Sequence, residues 1–321
     1  MTNRESTTSH GRHAHKPTHI PRHGWFEVLK RVKEDIGRDH VSLVAAGVAF
    51  YSLLALFPAI VAVISIWGLL FDPQQISQQI SSVSHLLPQQ AAGIIRQQAQ
   101  QASASNSTGM GLAAIGGILL AVYSASRGIK GLMDGLNIVY EEQEKRGFIK
   151  KTAIILGLTL GAVVMAVVTL GAITAIPTLV KLLGLGGIIG TLINLLRWPL
   201  LLVMVMVALA ILFRYAPDRR KPRWQWASAG SVVAVPLWLI GSIGFSIYVR
   251  NFASYNETYG SLGAVVVLLM WFWLSAFIVL MGAALNSELE RQTRHDTTAG
   301  DDQPVGERGA DAADSVARDD R

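Results

Sequence analysis

The chain has 321 residues, of which 51% are hydrophobic and 16% are charged, and it carries 30 glycines and a net charge of +6. This composition excludes a disordered protein and an ordinary soluble enzyme, and it favours a single polytopic membrane domain. Because the sequence contains no cysteine, a disulfide framework and thiolate metal sites are excluded as well.

The amino-terminal segment, residues 1–24, is rich in His, is interrupted by Pro and lacks the short apolar core of a removable signal peptide. We expect it to be a disordered cytoplasmic tail, because it has too few apolar groups to offset the entropy of ordering. Residues 24–40 then place Trp25, Phe26 and Leu29 at helical spacing. This pattern is typical of an amphipathic helix, lying either at the membrane interface or against the helical bundle.

The first apolar segment, residues 41–71, contains no charged side chain. As a helix it would be about 46 Å long, which exceeds the bilayer's hydrocarbon core of about 30 Å, so it predicts a tilted or bent membrane span. Tyr51 and Pro58 lie within it, and Pro58 frees a backbone carbonyl near the middle. Broken helices of this kind form binding sites in transporters, although a simple packing kink is the alternative.

Five further charge-poor segments predict membrane spans, at residues 109–126, 152–180, 188–213, 227–249 and 261–287. Together with the first span they predict an all-α, polytopic bundle of six transmembrane helices within a domain at 25–291. Both termini then share one side of the membrane. The loops 127–151 and 214–226 hold eleven Lys and Arg, against four on the opposite side, which places both termini in the cytoplasm.

The longest external segment, residues 72–108, holds ten Gln and one apolar stripe, and Pro88 divides it. It predicts a periplasmic helical hairpin. Such a hairpin could cover a cavity or dock on lipid headgroups, or it could serve only as a surface connector.

Four polar side chains recur along one face of the helix that continues the second span. Arg127, Lys130, Asp134 and Asn137 are separated by three, four and three residues, so they line one side of a helix. One interpretation is a polar gate at the cytoplasmic mouth of the bundle. The other is an intrahelical pair between Lys130 and Asp134 beside an arginine that reaches to water.

The external turn at residues 250–260 combines one cation, one anion and two tyrosines: Arg250, Glu257, Tyr255 and Tyr259. Tyrosines favour the headgroup region of a bilayer, which is one explanation for the turn. The alternative is that Arg250 and Glu257 line an external mouth.

The last predicted span ends with two polar residues, Asn286 and Glu288, which we expect to point into a cytoplasmic vestibule. The segment that follows, residues 292–321, is acidic and nearly free of large apolar side chains. We therefore expect a second disordered cytoplasmic tail.

Four sequence blocks resemble, in their order, the YihY/BrkB family of bacterial inner-membrane proteins, also called UPF0761. The blocks are Ala45–Pro58, Tyr123–Tyr140, Phe213–Trp224 and Tyr259–Glu290, and the resemblance spans residues 25–295. It implies a six-helix inner-membrane fold. The names carried by the family, virulence factor and ribonuclease BN, define no reaction.

A ribonuclease activity finds no support in the residues. His13 and His15 are followed by Lys and Pro rather than by further ligands, and no pair of acid and base residues lies beside a basic surface. No glycine-rich phosphate loop occurs either. We therefore expect no nucleic-acid partner, no cofactor and no metal.

The function predicted from the sequence is transport or assembly of an envelope lipid or amphiphile, with membrane lipids as the partner and no enzymatic activity. A membrane enzyme acting on lipid headgroups is one alternative, and it would require Arg127, Asp134 and Glu288 to converge. A structural membrane scaffold is the other. The substrate, the energy coupling and the oligomeric state stay open at this level.

Overall fold

The computed structural model describes residues 11–70, 107–184, 187–251 and 261–317, and within these ranges all regular structure is helical. A short 3-10 turn, Pro17–His19, comes first. The helices that follow are α1 (Arg22–Arg38), α2 (Val41–Leu70), α3 (Ser107–Val139), α4 (Phe148–Leu182), α5 (Gly187–Tyr215), α6 (Trp224–Asn251), α7 (Ser261–Arg291) and the short α8 (Asp311–Asp314). The predicted all-α class is confirmed. The predicted periplasmic hairpin lies almost wholly outside the described residues.

Four of the described helices are long and apolar enough to cross a membrane. The qualifying stretches are Phe148–Met165, Gly187–Tyr215, Trp224–Val249 and Val265–Arg291. A fifth span results if α1 and the first half of α2 are counted as one segment bent by 64°. The chain is therefore a multi-pass membrane protein. The predicted span at 109–126 lies in the first half of α3, which is not among the four, so the count of six stays a prediction.

The bend between α1 and α2 is centred on His40, which adopts a left-handed backbone conformation with φ of 49°. On α1, Val28 and Val32 are buried, whereas Phe26 is 74% exposed. One face of this amphipathic helix thus packs on the protein and the other leaves an aromatic side chain accessible. The buried face agrees with the expectation of a packed helix, and the expected position at the membrane interface stays a prediction.

The chain divides into two compact units. The first comprises residues 1–47, 129–246 and 273–321, and it contains α1, α4, α5 and most of α6. Within this unit α4 and α5 pack against each other. The second comprises residues 48–128 and 247–272. The site described below lies wholly in the first unit.

Glycines on α6 and α7 allow these two helices to approach closely. A Cβ atom placed on Gly230 would collide with the carbonyl oxygen of Gly282. Asn286 secures the contact, because its Oδ1 accepts a hydrogen bond from the backbone N–H of Gly230 at 2.6 Å and its Nδ2 donates to the carbonyl of Ala227 at 3.1 Å. Small residues let membrane helices approach in this way.

The structure differs from the expectation of two disordered tails. In the carboxyl-terminal segment the guanidinium of Arg308, only 3% exposed, donates to the carbonyl oxygens of Arg294 at 2.6 Å and Ala313 at 2.7 Å. On the amino-terminal side, Thr293 Oγ1 donates to the carbonyl of Ala14 at 2.8 Å. Composition predicted disorder because apolar groups are scarce, whereas hydrogen bonds to backbone carbonyls order these segments. Residues 1–10 and 318–321 lie outside the described part of the chain.

Candidate functional site

The polar face predicted on α3 has different partners from those expected. Arg127 donates to the Tyr123 hydroxyl at 2.6 Å and stacks on its ring. Asp134 pairs with Lys151 on α4 at 3.2 Å rather than with Lys130, which is exposed.

The fourth residue of that face, Asn137, is buried at the end of α3. Its Oδ1 accepts a hydrogen bond from the backbone N–H of Asp218 at 2.8 Å, and its Nδ2 donates to Glu144 at 3.3 Å. Asn137 therefore joins α3 to the loop that follows α5, where it supports the site described below.

At the end of α7, Glu288 is buried and has two cationic neighbours. Arg31 on α1 donates to one carboxylate oxygen, and Arg291 lies 3.5 Å from the other. Together with the contacts of Asn286, these pairs tie α7 to α1 and α6. The structure thus gives both predicted vestibule residues contacts within the protein.

The remaining predicted residues fall at the margins of the described chain. Tyr51, on α2, is 38% exposed and contacts the ring of Phe50. Pro58 lies within α2 and Arg250 within the last turn of α6, but their side chains are outside the described part. The predicted external residues Tyr255, Glu257 and Tyr259 lie outside the described residues altogether.

The structure reveals a basic pocket of about 440 Å³ where α4 begins and α5 ends. Residues from α4, from the end of α5 and from the two adjoining loops line it: Arg146, Lys150, Ala153, Ile154, Arg214, Tyr215, Pro217, Asp218, Arg219 and Lys221. Five of these ten side chains are cationic and one is acidic. We call this the basic pocket.

Two of the five cations are neutralised by carboxylates. Arg146 binds Glu144 through two hydrogen bonds of 2.7 Å and lies 3.5 Å from Asp218. The hydrogen bond from Arg146 lowers the pKa of the Glu144 carboxyl, so this pair is ionised at neutral pH. Arg219 pairs with Glu290 at 2.6 Å. These contacts hold the walls of the pocket.

The other three cations, Lys150, Arg214 and Lys221, have no carboxylate partner among the described residues. Lys150 and Lys221 are exposed, and the ammonium of Lys221 lies 4.5 Å from the ring centroid of Tyr215. The Arg214 guanidinium stacks over Trp224 at 4.6 Å and donates to the carbonyl of Pro222. The pocket therefore retains an excess of positive charge.

The carboxyl-terminal segment is hydrogen-bonded to the loop between α5 and α6, which lines part of the basic pocket. The backbone N–H of Arg220 donates to the carbonyl of Gly309, and the N–H of Ala299 donates to that of Lys221, each at 2.8 Å. An isolated antiparallel bridge joins Pro222 to Thr298. Sequence reasoning used the cations of residues 214–226 only to orient the chain, although their density was the signal that could have indicated this site.

Within the described residues, no group of three His, Cys, Asp or Glu side chains is placed to hold a metal ion. The pocket offers cationic donors beside the apolar side chains of Ala153 and Ile154. Such an arrangement can bind an anionic group that is attached to an apolar one.

Comparison with known proteins agrees with this membrane architecture. A family model described as Virulence factor BrkB matches residues 32–306. A putative ribonuclease-like protein, YfkH, of Bacillus subtilis is 28% identical over 254 residues, which cover 78% of this chain and 90% of the relative. A UPF0761 membrane protein of Vibrio cholerae is 29% identical over 258 residues, covering 79% and 84%. No solved structure matches the chain.

Proposed function

Since the chain belongs to the Virulence factor BrkB family, which includes UPF0761 membrane proteins, we propose that it handles an envelope lipid or other amphiphile in the bacterial inner membrane. It does so by transport or by assisting assembly. The proposed form is a bundle of six spans with both termini in the cytoplasm. The family relationship defines the class of protein, and the basic pocket supports the choice of ligand.

The observation that carries this proposal is the mixed character of the basic pocket. Ala153 and Ile154 lie in the second turn of α4, a helix that qualifies as a membrane span, and the cations come from the adjoining helix ends and loops. A pocket with an apolar side in the membrane and a basic side in water matches the two halves of an amphiphile. A soluble metabolite would not require the apolar side to continue into a membrane helix.

The location of the pocket fits the proposed orientation. Its cations come from the loops 127–151 and 214–226, or from the helix ends beside them, which the charge distribution assigns to the cytoplasm. The cytoplasmic leaflet carries anionic lipids that are attracted to basic segments at its surface. The pocket would therefore meet its ligand in the inner leaflet.

A membrane enzyme on lipid headgroups is not favoured by the described contacts. That alternative required Asp134 and Glu288 to act together with Arg127, but Asp134 is bonded to Lys151 and Glu288 to Arg31. The ribonuclease-like name of the Bacillus relative finds no matching constellation among the described residues either. We therefore propose a non-enzymatic role.

Two assays on the full chain test this function. The first expresses the Lys150→Gln/Lys221→Gln variant in a deletion strain and measures the envelope barrier as sensitivity to detergent. The wild-type protein should restore the barrier, and the variant should not. Lys30→Gln/Lys33→Gln is the matched control, because it removes two exposed charges from α1 and should restore the barrier fully. The second measures exchange of fluorescent phosphatidylglycerol between leaflets of proteoliposomes.

If proteoliposomes with the wild-type protein exchange phosphatidylglycerol between leaflets faster than protein-free vesicles, the result supports transport. If the wild-type protein restores the barrier but does not speed this exchange, the result supports an assembly role. If the pocket variant restores the barrier as well as wild type and exchange matches protein-free vesicles, the proposed function is rejected.

A further inference from the structure

We propose that the basic pocket is a phosphate-binding site, in which Lys150, Arg214 and Lys221 contact the phosphate oxygens. This inference rests on the proposed function for its biological setting, but the binding chemistry is argued from the pocket alone. The shared ligand chemistry is a phosphate group, carried either by a lipid or by a free anion.

The charge balance of the pocket favours phosphate over a singly charged group. Asp218, the acidic side chain among the lining residues, accepts a hydrogen bond from the backbone N–H of Lys145 at 2.7 Å and lies 3.5 Å from Arg146. Its charge lies beside the pair of Arg146 and Glu144, so together with Glu144 and Glu290 three carboxylates oppose the five cations, and two positive charges remain. Three cations around one cavity are suited to an anion with a charge between one and two and several acceptor oxygens.

Two buried guanidinium donors among the lining residues have no hydrogen-bond partner in the described part of the chain. They are Arg214 Nε and Arg219 Nη1, and the side chain of Arg219 is completely buried. A buried donor without a partner is costly, and such groups are rare in native proteins. Neither atom is accessible from the cavity, so the phosphate contacts are made by Lys150, Lys221 and the accessible part of the Arg214 side chain.

The backbone adds to this preference. Lys150 lies in the first turn of α4, and Ala153 and Ile154 lie in the second, so the cavity borders the amino-terminal end of a long helix. The free N–H groups and the dipole at such an end favour negative charge. The cations and the helix end thus favour the same kind of ligand.

The size of the cavity indicates that the phosphate is attached to a larger group. A volume of about 440 Å³ lies within the range of pockets for small organic ligands. Tyr215 and Ile154 provide apolar surface next to the cations. The structure therefore accommodates a phosphate with its adjoining glycerol or sugar.

The test measures binding by the purified full-length protein with two probes. One is inorganic phosphate, titrated in detergent by calorimetry. The other is a set of nanodiscs of phosphatidylcholine with or without phosphatidic acid, titrated by fluorescence. For Lys150→Gln/Lys221→Gln we expect the probe that wild type binds, inorganic phosphate or phosphatidic acid, to bind about tenfold or more weakly. For Lys30→Gln/Lys33→Gln we expect wild-type binding. Both pairs of lysines are exposed, so folding should be retained.

The two probes distinguish the sources of the phosphate. If the protein binds nanodiscs only when they contain phosphatidic acid, the ligand is a lipid headgroup. If inorganic phosphate binds equally well and displaces the nanodiscs, the ligand is a free anion. Either result supports the site. The site is rejected if neither probe binds, or if the pocket variant binds as tightly as wild type. Phosphate binding without leaflet exchange or barrier restoration would reject the proposed function and keep the site.

Discussion

Arg219 and Glu290 form an ion pair of 2.6 Å in which neither side chain is accessible to solvent. Arg219 lines the basic pocket, and Glu290 lies in the last turn of α7. Thr297 Oγ1 donates to Glu290 at 2.7 Å, and the Arg219 guanidinium lies 4.9 Å from the ring centroid of Tyr140. One buried carboxylate thus connects the wall of the pocket to the end of α7 and to the carboxyl-terminal segment.

Removing that carboxylate should destabilise the protein strongly. Glu290→Ala leaves the charge of Arg219 buried without its partner, and such a change costs about 3–5 kcal/mol of unfolding free energy. Thermal denaturation in detergent should show a large fall in Tm. The control is Asp302→Ala, since Asp302 is 73% exposed and pairs with Arg223, and it should cost at most about 1 kcal/mol. Equal effects of the two changes would contradict the structural role of the buried pair.

The contact between α6 and α7 should not tolerate a methyl group at Gly230. Gly230→Ala would place its Cβ against the carbonyl oxygen of Gly282, and we expect a loss of about 1–3 kcal/mol or more, together with low membrane yield. Gly244→Ala on the same helix is the matched control, because nothing lies within 4 Å of its added Cβ. A normal yield for Gly230→Ala would show that the helices do not approach as described.

Two truncations of the carboxyl-terminal segment should have different effects, because one keeps its contacts with the rest of the protein and the other removes them. A chain ending at Ala317 keeps the contacts of Arg308 and Gly309, so we expect wild-type stability. A chain ending at Arg294 loses them, together with the bridge between Pro222 and Thr298, so the pocket loop should become mobile. Protease cleavage within residues 216–223 measures this, and cleavage equally slow in both chains would contradict the bracing role.

The contribution of Asp35 to the stability of the protein should fall as pH rises from about 4 to about 7. Burial raises the pKa of the Asp35 carboxyl to about 7, and the charge of Glu288 raises it further, while Arg38 and Arg291 oppose the shift. The folded protein therefore holds a proton that the unfolded chain releases near pH 4, and this stabilisation is lost as pH rises through the window.

Asp35→Asn keeps the uncharged form at every pH, so its Tm should depend less on pH than that of wild type. Glu34→Gln, on the same helix and 62% exposed, is the control and should retain the wild-type dependence. Parallel pH profiles for wild type and Asp35→Asn would show that the acid does not titrate in this window.

The orientation of the chain can be measured with reporter fusions. Alkaline phosphatase inserted after Ser105 should be active, because we expect that segment in the periplasm, and phosphatase fused after Arg321 should be inactive. The physical reason is the excess of Lys and Arg in loops 127–151 and 214–226. The opposite pattern would place the basic pocket on the periplasmic side.

Hydropathy was sufficient to predict the helical class and a multi-pass membrane protein. These properties depend on local composition, since a run such as residues 188–213 must be a helix in lipid whatever its neighbours are. Family membership was also readable from four local blocks. The partner of a polar side chain is a different matter, because Asp134 pairs with Lys151 on another helix and not with Lys130 on its own.

What the sequence by itself determined is therefore an all-helical membrane protein of the BrkB family, with an excess of cations in two loops. Only the tertiary structure decided that Lys150, Arg214 and Lys221 surround one pocket and that Arg146 and Arg219 are neutralised. It also decided that the segments beside the termini pack on the protein. The physical reason is that ion pairing and hydrogen bonding depend on distances between segments far apart in the chain, which no local pattern records.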